Sequence, residues 1–210
     1  MTVLRFTCTG SRAEPYAAGP ALQLDLQVDE GSGRKVHAVA LRCQIRIDPR
    51  RRHYSPAETA RLGDLFGEPS RWGETLNLLQ LATVSVMLPP FTGRTTVPVS
   101  VPLTYDLDVA ATKFCHGLSD GEIPLLLLFS GTLFYAGDAG VQVGLVSWNE
   151  EAEHRLPVAV WRAVMDEHFP GSTWIRVRRE TVDALAAYRS AHAIPSWDDT
   201  FSRLLKEATE

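Results

Sequence analysis

The chain has 210 residues, 45% of them hydrophobic and 22% charged, with a formal net charge of −4. These are ordinary globular values; they fit one large domain or two small ones and leave no electrostatic footprint for nucleic acid. Three cysteines (Cys8, Cys43, Cys115) with no CxxC pair argue against a disulfide framework and a zinc ribbon.

The opening Met-Thr-Val-Leu-Arg-Phe shows no basic and then apolar leader, so no signal peptide and a cytoplasmic location are expected. Residues 2–8 suit a short strand, and 11–20, rich in Ala, Gly and Pro, a loop. Leu22, Leu24, Leu26 and Val28 then alternate with Gln23, Asp25, Gln27 and Asp29, a strand with one dry face. After the turn at 30–33, Val39, Leu41, Cys43, Ile45 and Ile47 share one face of a second strand, 36–47, with Arg42, Gln44 and Arg46 on the other. The short Gly-rich connection predicts an antiparallel hairpin.

Ser55-Pro56-Ala57-Glu58 is a capping box with proline at the first helical position, predicting a helix to about Phe66. A structured loop follows over 68–74. Val84, Val86 and Leu88 alternate again, and Phe91 to Arg94 read as the turn of a second hairpin. Over 95–109 the apolar face is Val97, Val99, Val101, Leu103, Tyr105, Leu107 and Val109. Pro98 and Pro102 remove N–H donors from the same side of that strand, which predicts an edge strand with its blocked side outward.

Residues 110–122 read as a connection with a helical turn. The run 123–135 is the most apolar in the chain and predicts a central strand, bent near Ser130-Gly131, with a buried helix as the less favoured reading. It is too interrupted by Pro, Ser and Gly for a membrane span. Its expected neighbours are the proline-blocked strand and Val141, Val143 and Leu145. Leu125 to Leu128 make four consecutive leucines, so both faces need cover: a second layer of sheet, or a groove that a partner fills.

Helices are expected from Pro157, with Val158, Trp161, Val164, Met165 and His168 near one face, over 180–193, and from Ser196 with Phe201, Leu204 and Leu205 inward. Residues 174–177 suit a short extended piece. Strands first and helices last give an α+β fold: an antiparallel sheet, in one layer or two, with the C-terminal helices packed on it. One domain is expected over 1–210, β-rich over 1–148 and helical over 149–210.

Candidate chemistry is sparse. Glu150, Glu151, Glu153 and His154 form the densest ligand-type cluster, but no converging third ligand is evident, and a solvated acidic helix start explains them. Cys115 and His116 are adjacent, which places them badly for a thiol and its base. Asp106 and Asp108 share a strand face and suggest paired carboxylates, but an exposed strand face explains them. The one basic patch is Arg50, Arg51, Arg52 and His53, with Arg42 and Arg46 on the preceding strand. With Tyr54 and Trp72 it suits an anion, a nucleic acid or an acidic partner, a protein partner being the favoured one, while a solvated turn also explains it. Arg50, Arg51, Arg52, Tyr54 and Trp72 are therefore the candidate partner-binding residues. No catalytic residue, metal ligand or cofactor is assigned.

Several blocks together resemble a known family: Val36-His-Ala-Val-Ala-Leu-Arg-Cys-Gln-Ile-Arg-Ile47, Leu65-Phe-Gly67 with Ser70-Arg-Trp-Gly73, Gly121-Glu-Ile-Pro-Leu-Leu-Leu-Leu-Phe-Ser-Gly131, and Leu156-Pro-Val-Ala-Val-Trp161. The family is an uncharacterised actinobacterial one, carried as a domain of unknown function and often encoded beside nickel–iron hydrogenase genes. The resemblance implies accessory work in hydrogenase assembly, on a hydrogenase subunit or its precursor. It carries over no catalytic residue. Phe169-Pro170, Trp174-Ile-Arg-Val177 and Thr181-Val-Asp-Ala-Leu185 are similar in order to the SecB export chaperone, a fold-level analogy. The expectation is a non-enzymatic, chaperone-like protein-binding protein. The alternatives are an enzyme, hydrolytic in class, and a metal carrier.

Overall fold

The structure is a computed structural model and describes residues 4–138 and 140–209. The strands are β1 (Leu4–Ala13), β2 (Ala21–Glu30), β3 (Lys35–Ile47), β4 (Leu79–Leu88), β5 (Phe91–Thr92), β6 (Arg94–Pro102), β7 (Glu122–Gly137), β8 (Gly140–Leu145) and β9 (Glu151–Pro157). The helices are α1 (Pro56–Arg61), α2 (Gly63–Phe66), α3 (Trp72–Thr75), α4 (Ala110–Gly117), α5 (Val158–His168), α6 (Arg179–Ala191) and α7 (Trp197–Glu207), with single 3-10 turns at Pro49–Arg51 and Pro69–Arg71. Two compact units result, Met1–Trp174 and Ile175–Glu210.

In the first unit the strands form two antiparallel sheets. One has the order β1-β2-β6; the other runs β4-β3-β7-β8, with β5 added to β3 and β9 to β7. The dry faces meet between them. Leu22, Leu24, Leu26 and Val28 of one sheet and Leu41, Cys43, Ile45 and Ile47 of the other are each at most 2% exposed. Phe6 stacks on Phe129 across the gap with ring centroids 4.2 Å apart. Burying each such Leu or Ile side chain contributes about 1.5–3 kcal/mol before chain entropy is charged.

This arrangement replaces both predicted hairpins. β2 and β3 do not pair, and neither do β4 and β6: each connection carries the chain from one sheet to the other. The reason is geometric. A hairpin lays two dry faces side by side, whereas an arch turns them toward each other so that each seals the other. The crossings run together, with the Glu30 N–H donating to the Gly93 carbonyl at 2.6 Å. Phe91 and Thr92, expected in a turn, pair with Val36 and Lys35.

β6 is the edge strand that its prolines require, but it ends at Pro102 and not at Val109. Pro102 lies opposite Ala21, where β2 begins, so no ladder remains to extend it. The helix from the Ser55 cap also stops early. Leu62 leaves helical geometry (φ −91°, ψ 0°) and splits it into α1 and α2. The loop expected over 68–74 contains α3 and a 3-10 turn.

β7 is central. β3 pairs with it from Ile47↔Leu125 to Val36↔Tyr135; on its other side β9 covers residues 122–128 and β8 covers 132–137. The proline-blocked strand expected beside it is in the opposite sheet. The change from β9 to β8 falls at Ser130-Gly131, while register with β3 continues through Leu41↔Gly131. Gly131 has φ +153°, and a Cβ there would lie 2.1 Å from the Ala40 carbonyl oxygen, so the crossing of the two central strands needs glycine. Leu125, Leu127 and Phe129 face the three-stranded sheet, and Leu126 and Leu128 lie half-buried on the outer face.

The stretch after 148 is not helical at first. β9 runs from Glu151 to Pro157 on β7, with Ala152 and Leu156 buried and Glu151, Glu153 and Arg155 exposed. The acidic residues are the wet side of a strand. α5 follows and contacts β1, β2 and β9, burying Val158, Trp161, Val164 and Met165. The His168 ring bonds to the carbonyls of Val164 (3.0 Å) and Ala17 (3.2 Å), which ties the helix end to the 14–20 loop.

The second unit is a helical hairpin. The Ser196 hydroxyl caps α7 by accepting from the Asp199 N–H at 3.0 Å. The Tyr188 hydroxyl meets the Glu207 carboxylate at 3.0 Å, and Arg189 lies 4.4 Å over the Trp197 ring. Thr200 is its buried residue, whereas Phe201 and Leu205, expected inward, are 38% and 70% exposed. Among the described residues no helix is long and apolar enough to cross a membrane.

Candidate functional site

The basic turn sits where β3 ends. Pro49 and the Asp48 cap start a 3-10 turn, which directs Arg50, Arg51 and Arg52 in different directions. Arg50 donates through Nε to the Leu76 carbonyl at 2.6 Å. Arg51 pairs with Asp48 at 3.0 Å and with Glu153 of β9. Arg52 turns inward: its side chain is 8% exposed and pairs with Glu58, 3% exposed, at 2.8 Å.

Glu58 is the centre of this region. Its Oε1 also accepts from the Ser119 N–H at 2.8 Å, and its Oε2 from the Ser55 N–H at 2.9 Å, closing the capping box. Burial raises the pKa of this carboxyl, but the N–H groups of Ser119 and Ser55 and the Arg52 charge outweigh it and leave it lowered. Glu58 is therefore an ionised anchor with its oxygens satisfied. Arg52 also donates to the Glu122 carbonyl at 3.1 Å, Arg61 to the Gly117 carbonyl at 2.8 Å, and Arg162 to the Leu118 carbonyl at 2.6 Å. Three guanidinium groups thus fix the backbone that leads into β7.

Tyr54 and Trp72 belong to an aromatic box, not to an open surface. Tyr54 meets Trp72 edge-on at 5.1 Å and Phe114 at 6.3 Å, and Phe66 meets both Trp72 and Phe114. The Tyr54 hydroxyl donates to the Pro49 carbonyl at 2.6 Å and the Trp72 indole N–H to Gly67 at 3.0 Å. Burial raises the Tyr54 pKa, so the phenol stays protonated. Of the five candidate partner-binding residues, Arg50 and Arg51 are exposed; Arg52, Tyr54 and Trp72 hold the local fold.

Around them lies an open cleft of about 680 Å³. Its exposed lining includes Arg51, His53, Asp120, Glu122 and Arg155, over the partly or fully buried Arg52, Tyr54 and Glu58. Arg155 of β9 donates to the Arg51 carbonyl at 2.9 Å and has no ion-pair partner among the described residues. Nothing in the basic run 50–53 points to Arg155, about a hundred residues away in sequence; only the strand pairing of β9 brings it in. Arg42 and Arg46 lie apart, on the outer face of the six-stranded sheet. There Arg42, Gln44, Thr83, Leu128, Ser130 and Trp148 line a second, smaller trough of about 330 Å³.

The candidate chemistry fares as its geometry dictates. Cys115 is 1% exposed, and burial pushes its thiol up to about 12. Burial likewise pushes Cys8 to about 11 and Cys43 to about 12. None supplies a thiolate near neutral pH. Asp106 and Asp108 leave the strand; the Asp108 N–H caps back onto Asp106 Oδ1 at 2.9 Å. Among the described residues no group of three His, Cys, Asp or Glu side chains is placed to hold a metal ion. His154 lies 2.9 Å from the Ser11 hydroxyl on β1.

Residues 1–210 match a family of unknown function, DUF6084, and the chain belongs to it. No curated protein matches. Among solved structures the chain is similar to Spo0M, a sporulation control protein of Bacillus subtilis, at 11% identity and a TM-score of 0.30, covering 75% of this chain and 49% of that one. It is also similar to beta-glucosidase 3B of Thermotoga neapolitana, solved with α-D-glucose, at 14% identity and a TM-score of 0.26, covering 73% of this chain and 17% of that one. The chain thus spans under half of each, and at those scores neither likeness bears on function.

Proposed function

We propose that this is a non-enzymatic accessory protein that binds a protein partner in the cleft beside the basic turn. The observation that carries the reading is Arg155, an exposed guanidinium without a carboxylate partner among the described residues, set with Arg51 and His53 over a floor locked by the Arg52–Glu58 pair. A floor already held by internal hydrogen bonds loses little side-chain freedom on binding. The exposed guanidinium of Arg155 suits a carboxylate on an acidic segment of the partner, Arg51 being already paired with Asp48 and Glu153. The resemblance to a family encoded beside hydrogenase genes points to a cytoplasmic hydrogenase subunit or its precursor as that partner, and the SecB analogy to a chaperone-like role. Co-purification from the native host with mass spectrometry tests this. The wild-type chain is expected to enrich a specific partner that Arg155→Glu loses, and failure of both to enrich anything counts against it.

A second reading, a hydrolase, is favoured by one contact, the Ser11 hydroxyl beside the half-buried His154. A Ser11→Ala variant with unchanged hydrolysis of p-nitrophenyl acetate would remove that support.

A further inference from the structure

We propose that β8 is a self-association edge, at which two copies of the chain join their six-stranded sheets antiparallel about a two-fold axis at Val143. The other open edges of the two sheets are flanked by the opposite sheet or blocked. β1 lies alongside β9 and β4 alongside β6 at the sides of the sandwich, and β6 carries Pro98 and Pro102. β8 ends its sheet, with no strand beyond it among the described residues.

Backbone geometry fixes which groups this edge offers. The Val146 N–H donates to the Gly131 carbonyl at 3.0 Å, so the even-numbered residues of the β8 segment bond to β7. Val141, Val143 and Leu145 therefore turn their N–H and C=O groups outward. Their side chains are 63%, 63% and 80% exposed and share a face with Ala136, Phe134 and Thr132 of β7.

The kind of partner follows from the sequence of the edge, Gly-Val-Gln-Val-Gly-Leu. It holds no charge and no proline, the two usual guards against pairing with a copy of itself. Val143 is the central outward-facing residue. An antiparallel two-fold there puts Val143 opposite Val143 of the second copy and Val141 opposite Leu145, with two backbone hydrogen bonds at each pair. The pairing is thus self-complementary in hydrogen bonds and in side chains. An edge this short buries less than the ~1,600 Å² of a standard interface, so the dimer is expected to dissociate on dilution.

The test is the solution mass of the full chain across a concentration series, by light scattering. Wild type is expected to pass from the monomer mass of 23.2 kDa to twice that mass as concentration rises. V143K puts like charges opposite each other only in the dimer and is expected to weaken association by more than about tenfold, with the circular dichroism unchanged. Cross-linking checks the register, with diamide as the oxidant that takes up the two thiol protons and electrons. Opposed Val143 Cα atoms would lie ~5.5 Å apart, within disulfide span, so V143C is expected to form a covalent dimer. V141C and L145C are expected to cross-link with each other but not alone, and the native cysteines are buried. A wild type at 23.2 kDa at every concentration overturns the proposal and leaves the edge to a strand of another protein. A dimer that V143K leaves intact, or V141C self-linking as well as V143C, overturns it too.

Discussion

Removing the Glu58 carboxylate is the perturbation whose cost the structure fixes most tightly. Glu58→Ala strips the Arg52 guanidinium of its ion pair, the Ser55 and Ser119 N–H groups of their acceptors, and α1 of half its capping box. Both charged side chains are more than nine-tenths buried, so water does not readily replace the lost partner. Breaking a buried pair from one side costs about 3–5 kcal/mol, and that range includes the ~1 kcal/mol of the cap. Glu58→Gln keeps the volume and one acceptor oxygen and should cost about 2 kcal/mol. With a urea m-value of ~2 kcal/mol per molar, Glu58→Ala lowers the midpoint by about 2 M at unchanged m. The double variant Arg52→Met with Glu58→Leu leaves no unpaired charge and is expected to be no worse than Glu58→Ala alone. A midpoint shift under ~0.3 M for Glu58→Ala would refute the view that this pair holds the cleft floor.

Other expectations follow from single positions. Gly131→Ala drives a methyl group into the Ala40 carbonyl, forcing the central strands apart, and should destabilise by about 3 kcal/mol in chemical unfolding. Ala193 holds φ +52° just past α6, where the Ile194 N–H donates to Arg189 at 3.0 Å, so Ala193→Gly should stabilise the hairpin unit by up to ~1 kcal/mol in thermal unfolding. Burial holds His154 below its ordinary pKa of 6.5 despite a hydrogen bond to Cys8, so its contribution to stability is present above 6.5 and lost as pH falls. Hydrogen bonds to Val164 and Ala17 hold His168 above 6.5, so its contribution is present below 6.5 and lost as pH rises. In melting curves from about pH 5 to 8, His154→Gln should flatten the acid-side fall and His168→Gln the alkaline-side one.

Much of the fold is legible in residue patterns because local rules and burial agree. The alternation in β2, β3 and β6, the Ser55 capping box, the two prolines of the edge strand and the apolar face of α5 all lie where spacing puts them. What spacing does not carry is the neighbour. A period of two says which side chains share a face, not which strand lies alongside, so hairpins and arches look alike across 30–35 and 88–94. β9 was hidden by composition: Glu151 and Glu153 suggest a helix start, although Ala152, His154 and Leu156 already alternate with them. The candidate site was half legible. The arginine run marks the place, but the inward turn of Arg52 onto Glu58 and the arrival of Arg155 depend on tertiary pairing. Tyr54 and Trp72 look like contact residues because aromatics serve cores and interfaces alike.

The central claim is that the cleft lined by Arg51, His53 and Arg155 receives an acidic segment of a protein partner. Titration calorimetry of the co-purified partner with wild type and with Arg155→Glu tests it most directly. The account expects at least tenfold weaker binding for the variant, with wild-type affinity falling as salt is raised. Equal affinities for the two proteins would contradict it.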